Sequence, residues 1–123
     1  QEGHVKVVNA LLATKEIQIN QACNNGFTPL YSACQNDHVK VVNALLAREE
    51  IQLNQATNDG VTPLYVACEN GHVKVVKALL ANKEIDINKA FLGHTPLANA
   101  LQHGHTEVVT LLRQHESYSK QPE

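Results

Sequence analysis

The 123-residue sequence contains no tryptophan and no methionine, and aromatic residues make up only 4% of it. It also lacks any apolar run of about 18 residues, the length that a membrane-spanning helix requires. The first residues show no charged segment followed by an apolar one, so no secretory signal is visible. We therefore expect no membrane partner. Because no initiator methionine is present, we treat the sequence as a fragment whose targeting signals could lie elsewhere.

Basic charge is not in excess. Ten Lys and Arg residues stand against twelve Asp and Glu residues, which gives a formal net charge of -2 and a pI near 6.4. Proteins that bind nucleic acid through its phosphates carry a basic surface, so we expect no nucleic-acid partner. The apolar content of 43% and the chain length fit one domain with a buried core.

Cysteine is too sparse for a disulfide framework. Cys23, Cys34 and Cys68 form an odd set without CxxC spacing. Thiols without metal or disulfide partners are common in protein cores. We interpret them as reduced, structural thiols, and we expect an intracellular, cytoplasmic protein.

Internal repetition dominates the sequence. Residues 26–31, Gly-Phe-Thr-Pro-Leu-Tyr, return at 60–65 and in part at 93–98, with spacings of 34 and 33 residues. Residues 23–56 and 57–90 are identical at 22 of 34 aligned positions. Repetition at this period is typical of stacked supersecondary units that form a solenoid.

Each unit is predicted to contain two helices. Thr62 is a favourable N-cap and Pro63 a favourable first residue for a helix over about residues 63–70. Gly71 can close this helix in the left-handed conformation, and Asp37 takes its place in the preceding unit with some strain.

The second helix is predicted over about residues 73–82. Apolar side chains cover more than half of its circumference, and only Lys74, Lys77 and Ala81 face outward. Such a helix must lie between neighbouring units. Lys6, Lys40 and Lys74 recur on its outer side, either as a solvated face or as a contact for an acidic partner.

These motifs resemble those of the ankyrin-repeat family, which carries Gly-x-Thr-Pro-Leu-x-x-Ala, Gly-His-x-x-Val-Val-x-x-Leu-Leu and an Ile-Asn before the turn. The resemblance implies an all-α ankyrin-repeat solenoid of stacked helix-turn-helix units linked by hairpin loops. We expect a single domain over residues 1–123, with a half repeat at 1–22 and repeats at 23–56, 57–90 and 91–123.

The two ends of the array differ. Arg113 takes the place of Leu46 and Leu80 and a polar tail follows, which predicts a C-terminal cap. At the other end a second helix lacks its first helix. Its apolar residues are Val5, Val7, Val8, Leu11 and Leu12. We expect that the natural protein continues upstream, or that this end pairs with another molecule, for instance in self-association.

The seven histidines suggest a metal site, but four of them recur once per repeat: His4, His38, His72 and His105. Equivalent positions of a stack are spread along its axis and cannot converge on one ion. We interpret them as structural hydrogen-bonding residues. No phosphate-binding glycine motif or nucleophile–base spacing occurs, so we expect no enzyme activity, no cofactor and no metal.

A binding surface follows from the phase of the first helix. Leu64, Ala67 and Cys68 fall on its inward face, so Val66, Glu69 and Asn70 point the other way. The equivalent residues in the other units are Ser32, Gln35 and Asn36, then Asn99, Gln102 and His103. Their variation on a nearly constant frame is typical of a recognition surface, although free drift would give the same pattern.

In the ankyrin-repeat family, first helices and hairpin tips together form a concave face that binds other proteins. The resemblance therefore implies a protein-protein interaction module. Its tip residues would be Asn24, Asn25 and Phe27; Asn58, Asp59 and Val61; and Phe91, Leu92 and His94. The alternative is a structural spacer segment of a longer ankyrin array, which many similar upstream repeats would favour.

The third tip is one residue shorter than the second and has Phe91 and Leu92 in place of polar turn residues. Exposed apolar residues would form a binding hot spot. Alternatively, both side chains fold back onto the last repeat as part of the cap.

Overall fold

The computed structural model describes residues 19–120, with side chains described up to residue 115. In this part the chain forms six helices and no β-strand, so the predicted all-helical class is confirmed. We number them α1 (Pro29–Gln35), α2 (Val39–Leu46), α3 (Pro63–Glu69), α4 (Val73–Leu80), α5 (Pro96–Gln102) and α6 (Thr106–Lys120). None of these helices is long and apolar enough to cross a membrane.

The first helix of each unit, α1, α3 or α5, begins in the same way. A threonine at the N-cap accepts a hydrogen bond of 3.1 Å from the backbone N–H three residues later, and a proline follows the threonine directly. Such a cap satisfies one of the free N–H groups of the first turn and contributes about 1 kcal/mol. The three caps join Thr28 to Tyr31, Thr62 to Tyr65, and Thr95 to Ala98.

The second helices carry the predicted apolar faces. In α4, Val75, Val76 and Leu79 are fully buried, whereas Lys74 and Lys77 are exposed. The helix ends at Leu80, two residues before the predicted end. There the Asn82 side chain accepts a hydrogen bond from the Glu84 backbone N–H at 3.0 Å, and this local turn replaces a further helical turn.

The units stack in two rows. Helix α3 packs between α1 and α5 in the row of first helices, and α4 packs between α2 and α6 in the row of second helices. One continuous hydrophobic core runs between the rows. Its largest fully buried side chains include Leu30, Leu45, Leu64, Leu79 and Leu112. No unit of the described part therefore buries its apolar faces alone.

The recurring histidines join consecutive units. The ring of His72 donates from Nε2 to the backbone carbonyl of Gln35 at 3.0 Å, and His105 donates in the same way to the carbonyl of Glu69 at 2.8 Å. Each bond satisfies a carbonyl group near the end of the preceding first helix. The predicted structural role is thus confirmed for these two residues, whereas His4 lies outside the described residues.

Asparagines join the loops behind the second helices. Asn54 donates from its side-chain amide to the carbonyl of Glu84 and accepts from the N–H of Asp86, both at 2.8 Å. One unit earlier, Asn20 makes the same two bonds, to Glu50 and Gln52, again at 2.8 Å. These paired bonds fix the register of each loop against the next.

The ends follow the prediction only in part. Arg113 is exposed, as expected of a cap, but Leu101 on α5 is 50% exposed. The residues at its place in the preceding units, Cys34 and Cys68, are fully buried beneath the next unit. The predicted N-terminal helix with Val5, Val7, Val8, Leu11 and Leu12 lies outside the described residues, as does Lys6.

The turn between the helices of a unit is left-handed, as predicted. Gly71 has φ +70° and Asp37 has φ +61°. A Cβ at position 71 would lie 2.7 Å from Nδ1 of His105, so a larger residue there requires the His105 ring to shift.

Replacing Gly71 by alanine is therefore expected to lower the free energy of unfolding more than the same change at Gly104. Both residues lie in equivalent turns, with φ of +70° and +72°, so both lose about 1–2 kcal/mol to the left-handed conformation. Gly104→Ala meets nothing within 4 Å, whereas Gly71→Ala displaces the His105 ring. Urea unfolding should show a larger loss for Gly71→Ala by about 1 kcal/mol or more. Equal losses would contradict this account of the inter-unit bond.

Candidate functional site

The hairpin tips and the first helices carry the residues that the sequence predicts to bind a partner, and we call these segments together the recognition face. Tip 1 covers residues 23–27, tip 2 residues 57–61 and tip 3 residues 91–94. Backbone hydrogen bonds close tip 1 from the Cys23 N–H to the Phe27 carbonyl at 3.0 Å, and tip 2 from the Thr57 N–H to the Val61 carbonyl at 2.9 Å. The tips are thus held as hairpins rather than as open loops.

Tips 1 and 2 are joined directly. The side-chain amide of Asn58 donates to the carbonyl of Asn24 at 2.8 Å, and its backbone N–H donates to the carbonyl of Asn25 at 3.2 Å. The Asn25 side chain accepts from the N–H of Phe27 at 2.9 Å. Asn24, Asn25, Asn58 and Asp59 remain exposed, so they form a continuous polar edge.

Tip 3 has a different geometry. Phe91 and His94 exchange both backbone hydrogen bonds, at 2.9 and 3.0 Å, around the two-residue turn Leu92-Gly93. Both turn residues have positive φ, +54° and +81°, as a type I′ turn requires. Removing one residue relative to tip 2 thus forces Leu92 into a conformation that costs a non-glycine residue about 1–2 kcal/mol.

The two apolar side chains of tip 3, Phe91 and Leu92, differ in their exposure. Leu92 is 80% exposed, so the interpretation that it folds back onto the last repeat is wrong. Phe91 is half-buried, but it packs edge-on against Tyr65 of the preceding unit, with ring centroids 5.6 Å apart. One apolar residue of the tip is therefore structural and the other is free to contact a partner.

Some of the first-helix residues that were predicted to face outward are buried. Asn36, Asn70, Gln102 and His103 are exposed, and Ser32, Gln35 and Glu69 are half-buried. Val66 and Asn99, however, are each only 3% exposed, so the prediction that they face outward is wrong. A first helix contacts its neighbouring first helices as well as the core, and its buried arc is wider than the i, i+3, i+4 pattern indicates. Val66 accordingly belongs to the hydrophobic core.

Asn99 lacks a partner for part of its amide. Its Nδ2 group is buried and has no hydrogen-bond acceptor among the described residues. A buried donor without a partner costs about 1–3 kcal/mol. The equivalent residues Ser32 and Val66 have no side-chain amide, so this buried amide is found only in the last unit.

Two buried tyrosines belong to the first helices, and the reasoning from sequence gave them no place in the binding surface. Tyr31 and Tyr65 are both 5% exposed, and the ring of Tyr31 packs at 4.4 Å from that of Phe27. Burial raises the pKa of both phenols. Glu69 raises both further, and Asp59 also acts on Tyr31. The recurrence of tyrosine at both places, in a chain with only three tyrosines, was the available signal.

The remaining histidines and cysteines are engaged by the fold. His103 and His105 stack with ring centroids 6.0 Å apart, and each ring bonds to a backbone carbonyl, of Asn99 and Glu69 respectively. Residues 19–115 contain no group of three or more side chains able to hold a metal ion. All three cysteines are free, with Cys34 and Cys68 buried and Cys23 exposed.

Asn99→Val is expected to stabilise the fold by about 1 kcal/mol because it removes the unsatisfied buried donor and introduces the side chain found at position 66. The reverse change, Val66→Asn, is the matched control and should destabilise by about 2 kcal/mol or more. Thermal unfolding measures both. A loss of stability in Asn99→Val would show that this amide has a partner.

Burial also predicts how the thiols react. It raises the pKa of Cys68 to about 12 and that of Cys34 further, so almost no thiolate forms at neutral pH. In a thiol-disulfide exchange assay at pH 7, we expect Cys23 to react at once, and Cys34 and Cys68 only after denaturant is added. Cys23→Ser should abolish the fast phase, and a second fast thiol in that variant would contradict the described burial.

A family model described as ankyrin repeats, in three copies, matches residues 1–57 and 49–122. No curated protein matches the chain. The two matched segments together cover nearly the whole sequence, and the stacked helical pairs with their hairpin tips agree with that description. The chain therefore belongs to the ankyrin-repeat family.

Proposed function

We propose that this chain binds a protein partner through the recognition face. Ankyrin repeats are in general protein-protein interaction modules. The proposal for this face rests on the contrast between the structural contacts, which recur from unit to unit, and the exposed side chains, which vary. The caps and the histidine bonds recur from unit to unit, whereas the exposed side chains of the same first helices differ. A fixed frame with variable surface residues suits recognition of one particular partner.

The proposed contact residues are those predicted from the sequence, without the two buried ones. On the tips they are Asn24, Asn25, Phe27, Asn58, Asp59, Val61, Phe91, Leu92 and His94; on the first helices and their ends they are Ser32, Gln35, Asn36, Glu69, Asn70, Gln102 and His103. A set of this size is compatible with a standard interface of about 800 Å² per partner.

Leu92 is the proposed apolar anchor. It is 80% exposed and held at φ +54°, so an apolar side chain is presented to solvent in a conformation that is itself unfavourable. Neither feature contributes to folding. Burial of such a residue in a partner's pocket is worth about 2 kcal/mol, because interfaces concentrate their energy in a few desolvated anchors.

The test is a double substitution, Leu92→Asn with Gln102→Ala, which leaves the net charge unchanged. A partner is first identified by affinity enrichment from the native host and then produced in pure form for titration calorimetry. We expect the double variant to bind it about 30-fold more weakly, since the loss of the anchor alone corresponds to about 2 kcal/mol. The variant should remain folded, because asparagine tolerates a positive φ better than leucine.

The control is a neutral double substitution on the second helices, Asn43→Ala with Thr110→Ala, at two exposed positions. It should leave the dissociation constant unchanged. If the control weakens binding and the recognition-face variant does not, the proposed face is wrong.

A further inference from the structure

Tip 1 holds an asparagine of the neighbouring unit on two of its backbone carbonyl groups. The side-chain amide of Asn58 donates to the Asn24 carbonyl at 2.8 Å, and the backbone N–H of Asn58 donates to the Asn25 carbonyl at 3.2 Å. Gly26 is buried beneath this residue, and a Cβ at position 26 would lie 2.5 Å from the side-chain oxygen of Asn58. Two carbonyl groups and a glycine thus form a binding site for one asparagine.

Tip 2 carries the same groups, but no described residue binds to them. Its glycine is Gly60, and the two carbonyls before it belong to Asn58 and Asp59. Neither carbonyl accepts a hydrogen bond from a described residue. A Cβ at Gly60 would meet no described residue within 4 Å beyond its chain neighbours, and Gly60 is half-buried whereas Gly26 is buried. We call the site formed by these two carbonyls and Gly60 the tip 2 notch.

The shortened tip 3 explains why the tip 2 notch differs from the site on tip 1. Tip 3 has one residue fewer than tip 2, and Leu92 is the residue nearest the place of Asn58 in the repeat. Leucine has no amide to donate. The chain also reverses within two residues, because Phe91 and His94 already exchange their backbone hydrogen bonds. No residue of tip 3 therefore takes the place on tip 2 that Asn58 takes on tip 1.

We propose that the tip 2 notch binds an asparagine of the protein partner in the way that tip 1 binds Asn58. This inference rests on the proposed function and names the residue that the partner presents. The partner's side-chain amide donates to the Asn58 carbonyl, and its backbone N–H donates to the Asp59 carbonyl. Once a partner covers the tip, both carbonyls lose water and need donors. An aspartate side chain offers no donor, and glutamine places its amide one methylene group too far from its backbone N–H.

A random peptide library displayed on phage provides the probe. Peptides selected on the immobilised chain are synthesised and titrated against the wild type, Leu92→Asn/Gln102→Ala, Gly60→Ala and Gly104→Ala. Alanine at position 60 puts a Cβ where the bound asparagine lies, as the contacts at Gly26 indicate. Gly104→Ala is the matched control. Its φ is +72° and that of Gly60 is +92°, and neither Cβ would meet a described residue within 4 Å.

We expect the recovered peptides to share an asparagine and to bind Gly60→Ala about tenfold or more weakly, because two hydrogen bonds are lost. Gly104→Ala should change the affinity less than about twofold, although both variants lose a similar free energy of unfolding to the left-handed conformation. Replacing the peptide's asparagine by aspartate should weaken binding to the wild type about tenfold or more. The same replacement should have little effect on binding to Gly60→Ala, and this coupling locates the asparagine at the tip 2 notch.

The other outcomes separate the two proposals. Peptides weakened by Leu92→Asn/Gln102→Ala that bind Gly60→Ala as well as Gly104→Ala would overturn the asparagine site and leave the proposed face intact. Peptides weakened by Gly60→Ala but indifferent to the change from asparagine to aspartate would show that the notch binds another group, which also overturns this inference. A selection that yields no peptide weakened by either recognition-face variant would contradict both proposals.

Discussion

The fold depends on one constraint: a helical pair of this sequence has more apolar surface than it can bury by itself. Valines and leucines cover most of the second helix, and the small residues Ala67 and Cys68 let the neighbouring unit approach closely enough to cover the first. Burial is therefore complete only where a unit lies between two others, as the central unit does. Where no described unit follows, Leu101 is left half-exposed at the place of the buried cysteines. Stacking drives the fold, and local propensity only prepares each helix for it.

Hydrogen bonds give the stack its register. Hydrophobic burial is not directional, so it does not by itself fix how far one unit is rotated or shifted against the next. His72 and His105 fix the first helices, whereas Asn20 and Asn54 fix the loops behind the second helices. All four side chains bond to backbone groups, which are the same whatever the neighbouring side chain is. The side chains of the recognition face can therefore vary without disturbing the frame, and this separation makes the array suitable for binding.

Much of the fold was predictable from sequence because it follows from short motifs. The threonine caps, the left-handed turn at Gly71 and Asp37, and the apolar faces of the second helices were all predicted and are confirmed. Features that depend on contacts between units were not. Val66 and Asn99 are buried by neighbouring first helices, which a helical wheel of one helix does not represent. The turn type at Leu92 required backbone geometry, and the hydrogen bonds from Asn58 to tip 1 required the register of two units.

The recognition face is the central claim, and backbone amide chemical shifts test it most directly. An assigned NMR spectrum of the chain is recorded with and without a saturating amount of its bound partner or of a selected peptide. The account predicts that the largest shifts lie on the three tips and on the exposed ends of α1, α3 and α5, including Asn58, Glu69 and Leu92. The amides of α2 and α4 on the Lys40 and Lys74 side should be nearly unchanged. Large shifts confined to α2 and α4, with the tips unaffected, would contradict it.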